Sequence, residues 1–146
     1  MIIREATVLD LYTMVEEGKK FLKFIYPEKS IDEGNLYRIL NDVILNGVAF
    51  VAEKDGKVIG SIGGNILSSL FWPEDIMLHE LFWWVNEEHR GSSAALRLMK
   101  KFIEYGKGRE DVNQIIMSME TISPLSDDAY LKRGFELKEK AFVMEV

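Results

Sequence analysis

The chain has 146 residues, 47% of them hydrophobic and 29% charged, with a net charge of −6. That is the balance of one soluble globular domain spanning residues 1–146 and burying one sizeable core, not of a disordered chain. An acidic balance argues against broad nucleic-acid binding, which needs a basic face; it suits a cationic or amine ligand, and equally plain solubility. There is no cysteine and there are only two histidines, His79 and His89. Disulfides, thiolate metal sites and a cysteine nucleophile are therefore excluded, and no metal is expected. No apolar run approaches the ~20 residues a bilayer requires, and MIIREATVLD lacks the basic-then-apolar layout of a signal peptide. A cytoplasmic protein without membrane contact is expected.

The opening IIREAT reads as a short strand. From Thr7 the pattern changes to a helical period through Leu11, Met14, Val15, Phe21 and Leu22, with Asp10 three residues after Thr7 as a start signal. A second helix carries Leu36, Ile39, Leu40, Val43 and Ile44 on one stripe, and Ser30 and Glu33 have capping-box spacing ahead of it. Gly47 ends that helix. The strand VAFVAEK follows, and Asp55-Gly56 turns the chain into a hairpin with KVIGSIGGNIL. FWPED is a connection, because Pro73 is foreign to a central strand. Ile76 to Val85 is a long apolar strand whose run LFWWV predicts burial on both faces. After NEEHRGSS a third helix runs to about Lys107, with Ala95, Leu98, Met99, Phe102 and Tyr105 or Gly106 inward. QIIMSMET is a further strand, Ser126-Asp127-Asp128 opens a short helix closing at Gly134, and FELKEK and AFVMEV read as a final pair of strands.

The chemistry concentrates in HELFWWVNEEHRGSSAALRL, residues 79–98. A strand leads through a short loop into a helix whose unpaired N–H groups and partial positive charge attract phosphate. Gly91, Ser92, Ser93, Ala94 and Ala95 are small enough to let a pyrophosphate approach those amides, and Arg90 adds a fixed cation. The same small residues also suit a helix packed tightly on a sheet, so this segment alone does not decide between the two.

Arg90-Gly91-Ser92-Ser93-Ala94-Ala95 resembles motif A of the GNAT acetyltransferases, [Q/R]-x-x-G-x-[G/A]. Tyr130-Leu131-Lys132-Arg133-Gly134-Phe135 resembles the Y-x-x-x-G-F of the same family, and FWWVNEEHRG is similar in wording to bacterial and phage-encoded members. The resemblance covers nearly the whole chain. It implies the α/β (α+β) acyl-CoA N-acyltransferase fold: a mixed, mostly antiparallel sheet flanked by helices in the order β-α-α-β-β-β-α-β-α-β-β. Two departures stand out: Ser93 where the family usually has glycine, and Ser123 where many relatives have asparagine.

The resemblance also implies roles. Val85 sits where a backbone N–H meets the thioester carbonyl, at a strand that splays from its neighbour. Trp84, Val85 and Arg90 to Ala95 are the expected contacts to acetyl-coenzyme A. Tyr130 stands where the family has the general acid for the departing thiolate; a phenol is protonated at neutral pH and suits that task. Some members place a glutamate general base where Glu80 stands, and burial raises a carboxyl pKa in the required direction. Pairing of Glu80 with a cation or backbone group is an equal expectation. His79 should face the other way unless a bulge scrambles the alternation, and His89 reads as solvated. Trp72, Trp83, Trp84 and Phe71 form an aromatic concentration suited to core and pocket wall, or to a cationic ligand. Phe24, Ile25, Tyr26 and Glu28, beside Pro27, with Glu80, are the expected acceptor-binding positions.

The functional expectation is an N-acetyltransferase that uses acetyl-coenzyme A and a primary amine of a small molecule or protein. Partners are thus the cosubstrate and the amine, without nucleic acid or membrane; monomer and homodimer both stay open. A catalytically silent GNAT module binding acyl-coenzyme A as a sensor or interaction domain is the competing reading. A nucleotide-binding protein is a weaker one, since no P-loop pattern is present.

Overall fold

The computed structural model describes residues 1–146. Strands β1 (Ile2–Glu5), β2 (Val48–Lys54), β3 (Lys57–Ser68), β4 (Ile76–Val85) and β5 (Gln114–Ile116) form one sheet in the order β1-β2-β3-β4-β5. Helices α1 (Leu11–Ile25), α2 (Glu33–Asn46), α3 (Ala94–Lys107) and α4 (Asp127–Leu131) complete the chain. The first four strands pair antiparallel with their neighbours, and β4 pairs with β5 in parallel. The mixed, mostly antiparallel α/β architecture is the expected one. No helix is long and apolar enough to cross a membrane.

Each face of the sheet carries its own core. Phe50, Ile62, Leu78, Val85, Leu98 and Phe102 pack on the α3 side. Met14, Val15, Leu40, Val43, Phe82 and Trp84 pack on the α1–α2 side. The apolar stripes of the three long helices supply these contacts, and each buried aliphatic or aromatic side chain contributes about 1.5–3 kcal/mol. Thr7 and Asp10, the expected start signal, form a capping box, although a 3₁₀ turn over Val8–Asp10 comes before α1. Arg4 donates two hydrogen bonds to the buried Asp10 and one to Glu53, tying β1 to this turn and holding the Asp10 carboxyl below its usual range.

Four expectations change. The cap of α2 is Asp32, whose side chain accepts from the Asn35 N–H, and not Ser30. Asp32 lies directly before the first helical residue, where its carboxylate reaches the free amides. The strand expected over QIIMSMET stops at Ile116. The last two expected strands do not form, and Phe142, Val143 and Met144 are exposed. β5 offers a ladder of only three residues, and the junction Glu139-Lys140 has no turn-forming glycine or asparagine. The aromatic concentration also divides. Phe71 and Trp72 are an exposed pair in the β3–β4 connection, Trp84 lies in the α1–α2 core, and Trp83 packs against the α3 core.

Candidate active site

β4 pairs with β3 over its whole length but with β5 only through Met77, Leu78 and His79. Beyond His79 no ladder joins β4 to the chain that follows β5, and a wedge opens in the sheet. Two local features produce it.

The first is a β-bulge. Gly63 stands opposite Phe82 and Gly64 opposite Glu80, so Leu81 is an extra residue on β4. Its side chain turns outward, 46% exposed, and the LFWWV run is not buried throughout. The bulge reverses alternation: Leu78 belongs to the α3 core, yet Phe82 and Trp84 belong to the opposite one, and Val85 returns to the α3 side. Glycine is required across from it. A Cβ on Gly64 would lie 2.2 Å from the His79 carbonyl oxygen, and one on Gly63 would lie 2.4 Å from the Phe82 ring. The paired glycines in the middle of GSIGGNI were the sequence signal for this bulge.

The second feature is a side-chain substitute for a ladder bond. The Ser118 N–H, two residues past the end of β5, donates to Glu80 Oε2 at 3.2 Å. Glu80 is 9% exposed and has a backbone partner but no cation. Burial pushes its carboxyl up to about 7, the Ser118 N–H works against this, and the charge of Glu120 adds to it. Glu120 was not among the sequence candidates. It accepts from the Tyr26 hydroxyl at 3.3 Å, which links the end of α1 to the segment after β5 and raises the Tyr26 pKa.

Tyr130 faces the same region. Its ring packs edge-on against Trp83, with centroids 6.3 Å apart, and against Phe135, at 5.9 Å. The motif Y-x-x-x-G-F is one packing unit. Gly134 has φ 89°, and the Phe135 N–H returns to the Tyr130 carbonyl at 3.3 Å, folding Phe135 onto Tyr130. Burial, Glu80 and Asp127 together push the phenol up to about 12.

At the end of β4 the Asn86 N–H donates to the Ile59 carbonyl on β3, so by alternation the Val85 amide points away from β3, toward the wedge. The Val85 carbonyl accepts from Arg90 Nε at 3.3 Å. The Arg90 guanidinium also lies 5.1 Å from the Phe24 ring centroid, which draws Phe24 to the same end of the wedge. Gly91 has φ 84° and open space where a Cβ would be. The Ser92 hydroxyl accepts from the Ala94 N–H at 3.2 Å, while Ser93, at the N-cap, makes no side-chain cap bond. The N–H groups of Ala95 and Leu96 precede the first intrahelical bond, from Arg97 N–H to the Ser93 carbonyl.

Among the other candidates, the Trp84 ring stacks on Phe82 in the α1–α2 core at 4.8 Å, which leaves only its main chain near the wedge. Glu28 lies in the exposed turn after α1 with no side-chain partner. His89 bonds Asn86 within its own loop, and no grouping of three or more potential metal ligands occurs.

A family profile described as acetyltransferase (GNAT) family matches residues 11–135. No protein of curated function matches the sequence. Solved structures share the fold at low identity. A possible acetyltransferase from Clostridium difficile is 19% identical, with a TM-score of 0.77 over 99% of this chain and 97% of its own. A predicted acetyltransferase from Clostridium acetobutylicum, solved with acetyl-CoA, is 17% identical, with a TM-score of 0.78 over 99% and 95%. A mutant protein from Bacillus halodurans is 17% identical, with a TM-score of 0.81 over 100% of both chains.

Proposed function

The chain belongs to the acetyltransferase (GNAT) family, and from that premise we propose that it is an acetyl-coenzyme A-dependent N-acetyltransferase acting on a primary amine of a small molecule or protein. The observation that carries this reading is the wedge itself. It has a buried carboxyl near pKa 7 on one wall, a phenol close by, and the N-terminus of α3 at its end.

The residues present fit an acyl-coenzyme A. The Val85 N–H faces the gap where β4 lacks a partner, as an extended arm pairing with strand backbone requires. The free N–H groups at the start of α3, beside small residues with open space at Gly91, suit a pyrophosphate. When bound, acetyl-coenzyme A supplies an acetyl group activated as a thioester. Val85 N–H, Arg90, Gly91, Ser92, Ser93, Ala94 and Ala95 are the residues that hold it.

An amine is protonated near neutral pH and must lose its proton before its lone pair can bond carbon. Glu80, titrating near 7, is half ionised there and accepts that proton. Tyr130 keeps its proton at Oη throughout this range and holds it for the departing sulfur. The Val85 N–H stabilises the oxygen on which negative charge develops. Glu120, tethered by Tyr26, adds a second carboxylate that favours a cationic acceptor, in keeping with the net charge of −6. Phe24 and Tyr26 line the acceptor side, and Glu28 extends it in the exposed turn after α1.

Calorimetric titration with acetyl-coenzyme A, with ATP as control, tests the cosubstrate; an amine screen for coenzyme A release tests the reaction. Saturable micromolar binding of acetyl-coenzyme A alone, followed by turnover, is expected. Binding without turnover on any amine would favour the silent-module reading, and no binding would remove both.

A further inference from the structure

Two buried side-chain polar atoms have no hydrogen-bond partner, Ser61 Oγ and Trp83 Nε1. They differ in kind. A serine hydroxyl rotates and can both donate and accept. An indole N–H is a donor only, and its direction is set by the ring. Buried tryptophan N–H groups usually find an acceptor, and an orphan calls for an explanation.

The place of Trp83 offers one. It lies on β4 four residues past the last one paired with β5 and two before Val85, so it stands on the unpaired stretch that forms one wall of the wedge. Tyr130 packs edge-on against its ring at 6.3 Å. Tyr130 comes from α4, five residues with none buried, so its ring can shift enough for a ligand atom to reach the indole edge while it stays at the wedge. Apart from the Tyr130 phenol, the side chains identified around it are apolar: Trp83 packs against the α3 core, and Ile62 stands opposite it on β3. No side chain of the protein there supplies the missing acceptor.

We infer that the Trp83 indole N–H donates a hydrogen bond to a carbonyl oxygen of the acyl-pantetheine arm of bound acyl-coenzyme A. This rests on the function proposed above. An amide or thioester carbonyl is the chemistry such a site selects: a neutral acceptor on a slender chain that enters between strands. Trp83 thereby acts as a positioning residue for the cosubstrate, unlike the main-chain contacts at Val85 and in the loop before α3.

The test uses the full chain and two readouts other than turnover. The sequence contains three tryptophans, Trp72, Trp83 and Trp84, and so three indole N–H resonances. On addition of acetyl-coenzyme A to the wild-type chain, the assigned Trp83 indole proton should move downfield as it gains an acceptor. By calorimetry, Trp83→Phe should bind acetyl-coenzyme A about tenfold more weakly, the effect of one lost hydrogen bond. If the wild type binds but the Trp83 resonance stays in place, or if Trp83→Phe binds as tightly as wild type, the inference is overturned while the function stands. If the wild type does not bind acetyl-coenzyme A, both fall. The resonance is read on the wild-type chain, so a variant that fails to fold does not silence the test.

Discussion

Replacing Glu80 with glutamine tests the electrostatics of the wedge through stability, before any acceptor is known. The Glu80 carboxyl is raised from 4.5 to about 7 in the folded chain, chiefly by burial. At 1.36 kcal/mol per pH unit that gap corresponds to about 3 kcal/mol. The sign follows from which state binds the proton more tightly. The native state does, so the contribution is intact below pH 4.5 and is lost as pH rises through about 7. Glutamine keeps the shape, and its amide oxygen can still accept from the Ser118 N–H, but it has no charge to desolvate. Wild type should therefore fall behind Glu80→Gln by about 3 kcal/mol between pH 4.5 and pH 8. Urea unfolding followed by tryptophan fluorescence at the two pH values measures this. Any fixed cost of burying the amide appears at both and cancels, as do the titrations of carboxylates that do not interact with Glu80. A difference that changes by less than about 1 kcal/mol, or that grows toward acid, refutes the reasoning. The same variant should lose turnover, so the residue would be costly to stability and necessary for activity.

Three further outcomes are expected. Tyr130→Phe should lower the rate of acetyl transfer and leave acetyl-coenzyme A affinity and melting temperature nearly unchanged, because the ring contacts to Trp83 and Phe135 survive; steady-state kinetics with calorimetry separates the two. Glu120→Gln removes a negative charge that raises the Glu80 pKa, so the rising acidic limb of the pH–rate profile should move to lower pH. Gly64→Ala places a methyl group against the His79 carbonyl, backbone that cannot yield cheaply, and should cost about 1–3 kcal/mol by urea unfolding.

Local signals in the sequence carried well where local physics decides. The Thr7–Asp10 start signal, the apolar stripes of the long helices and the Asp55-Gly56 hairpin each need only a few neighbouring residues, and all appear in the structure. Asp55 and Gly56 adopt the positive φ values, 51° and 73°, that such a turn demands. The loop before α3 was legible because its residue sizes and charge are visible in order. What failed was set between segments. QIIMSMET has the composition of a long strand, but Ser118 spends its N–H on Glu80 rather than on a neighbouring strand, a contact across 38 residues. Glu120 enters the site only because Tyr26, 94 residues away in sequence, holds it there. The bulge was written in Gly63-Gly64, but its effect on which face Phe82 and Trp84 occupy depends on register with β3. At α2 the spacing of Ser30 and Glu33 pointed to the wrong cap, because Asp32 stands directly before the first helical residue and reaches its free amides.

The brevity of the β4–β5 ladder has a consequence for how this protein comes apart. Three residue pairs hold β5 to the sheet, against seven between β2 and β3 and nine between β3 and β4. Beyond β5, the short α4 buries no residue. Amide hydrogens from Gln114 onward should therefore exchange through a local opening that leaves the β1–β4 meander and its two packed faces intact. That opening takes Ser118, Glu120 and Tyr130 with it, so the gap that admits a ligand arm is also the least cooperative seam of the molecule. On warming, the activity should fade before the tryptophan signal of the core reports any transition, and a bound cosubstrate spanning the seam should bring the two events together.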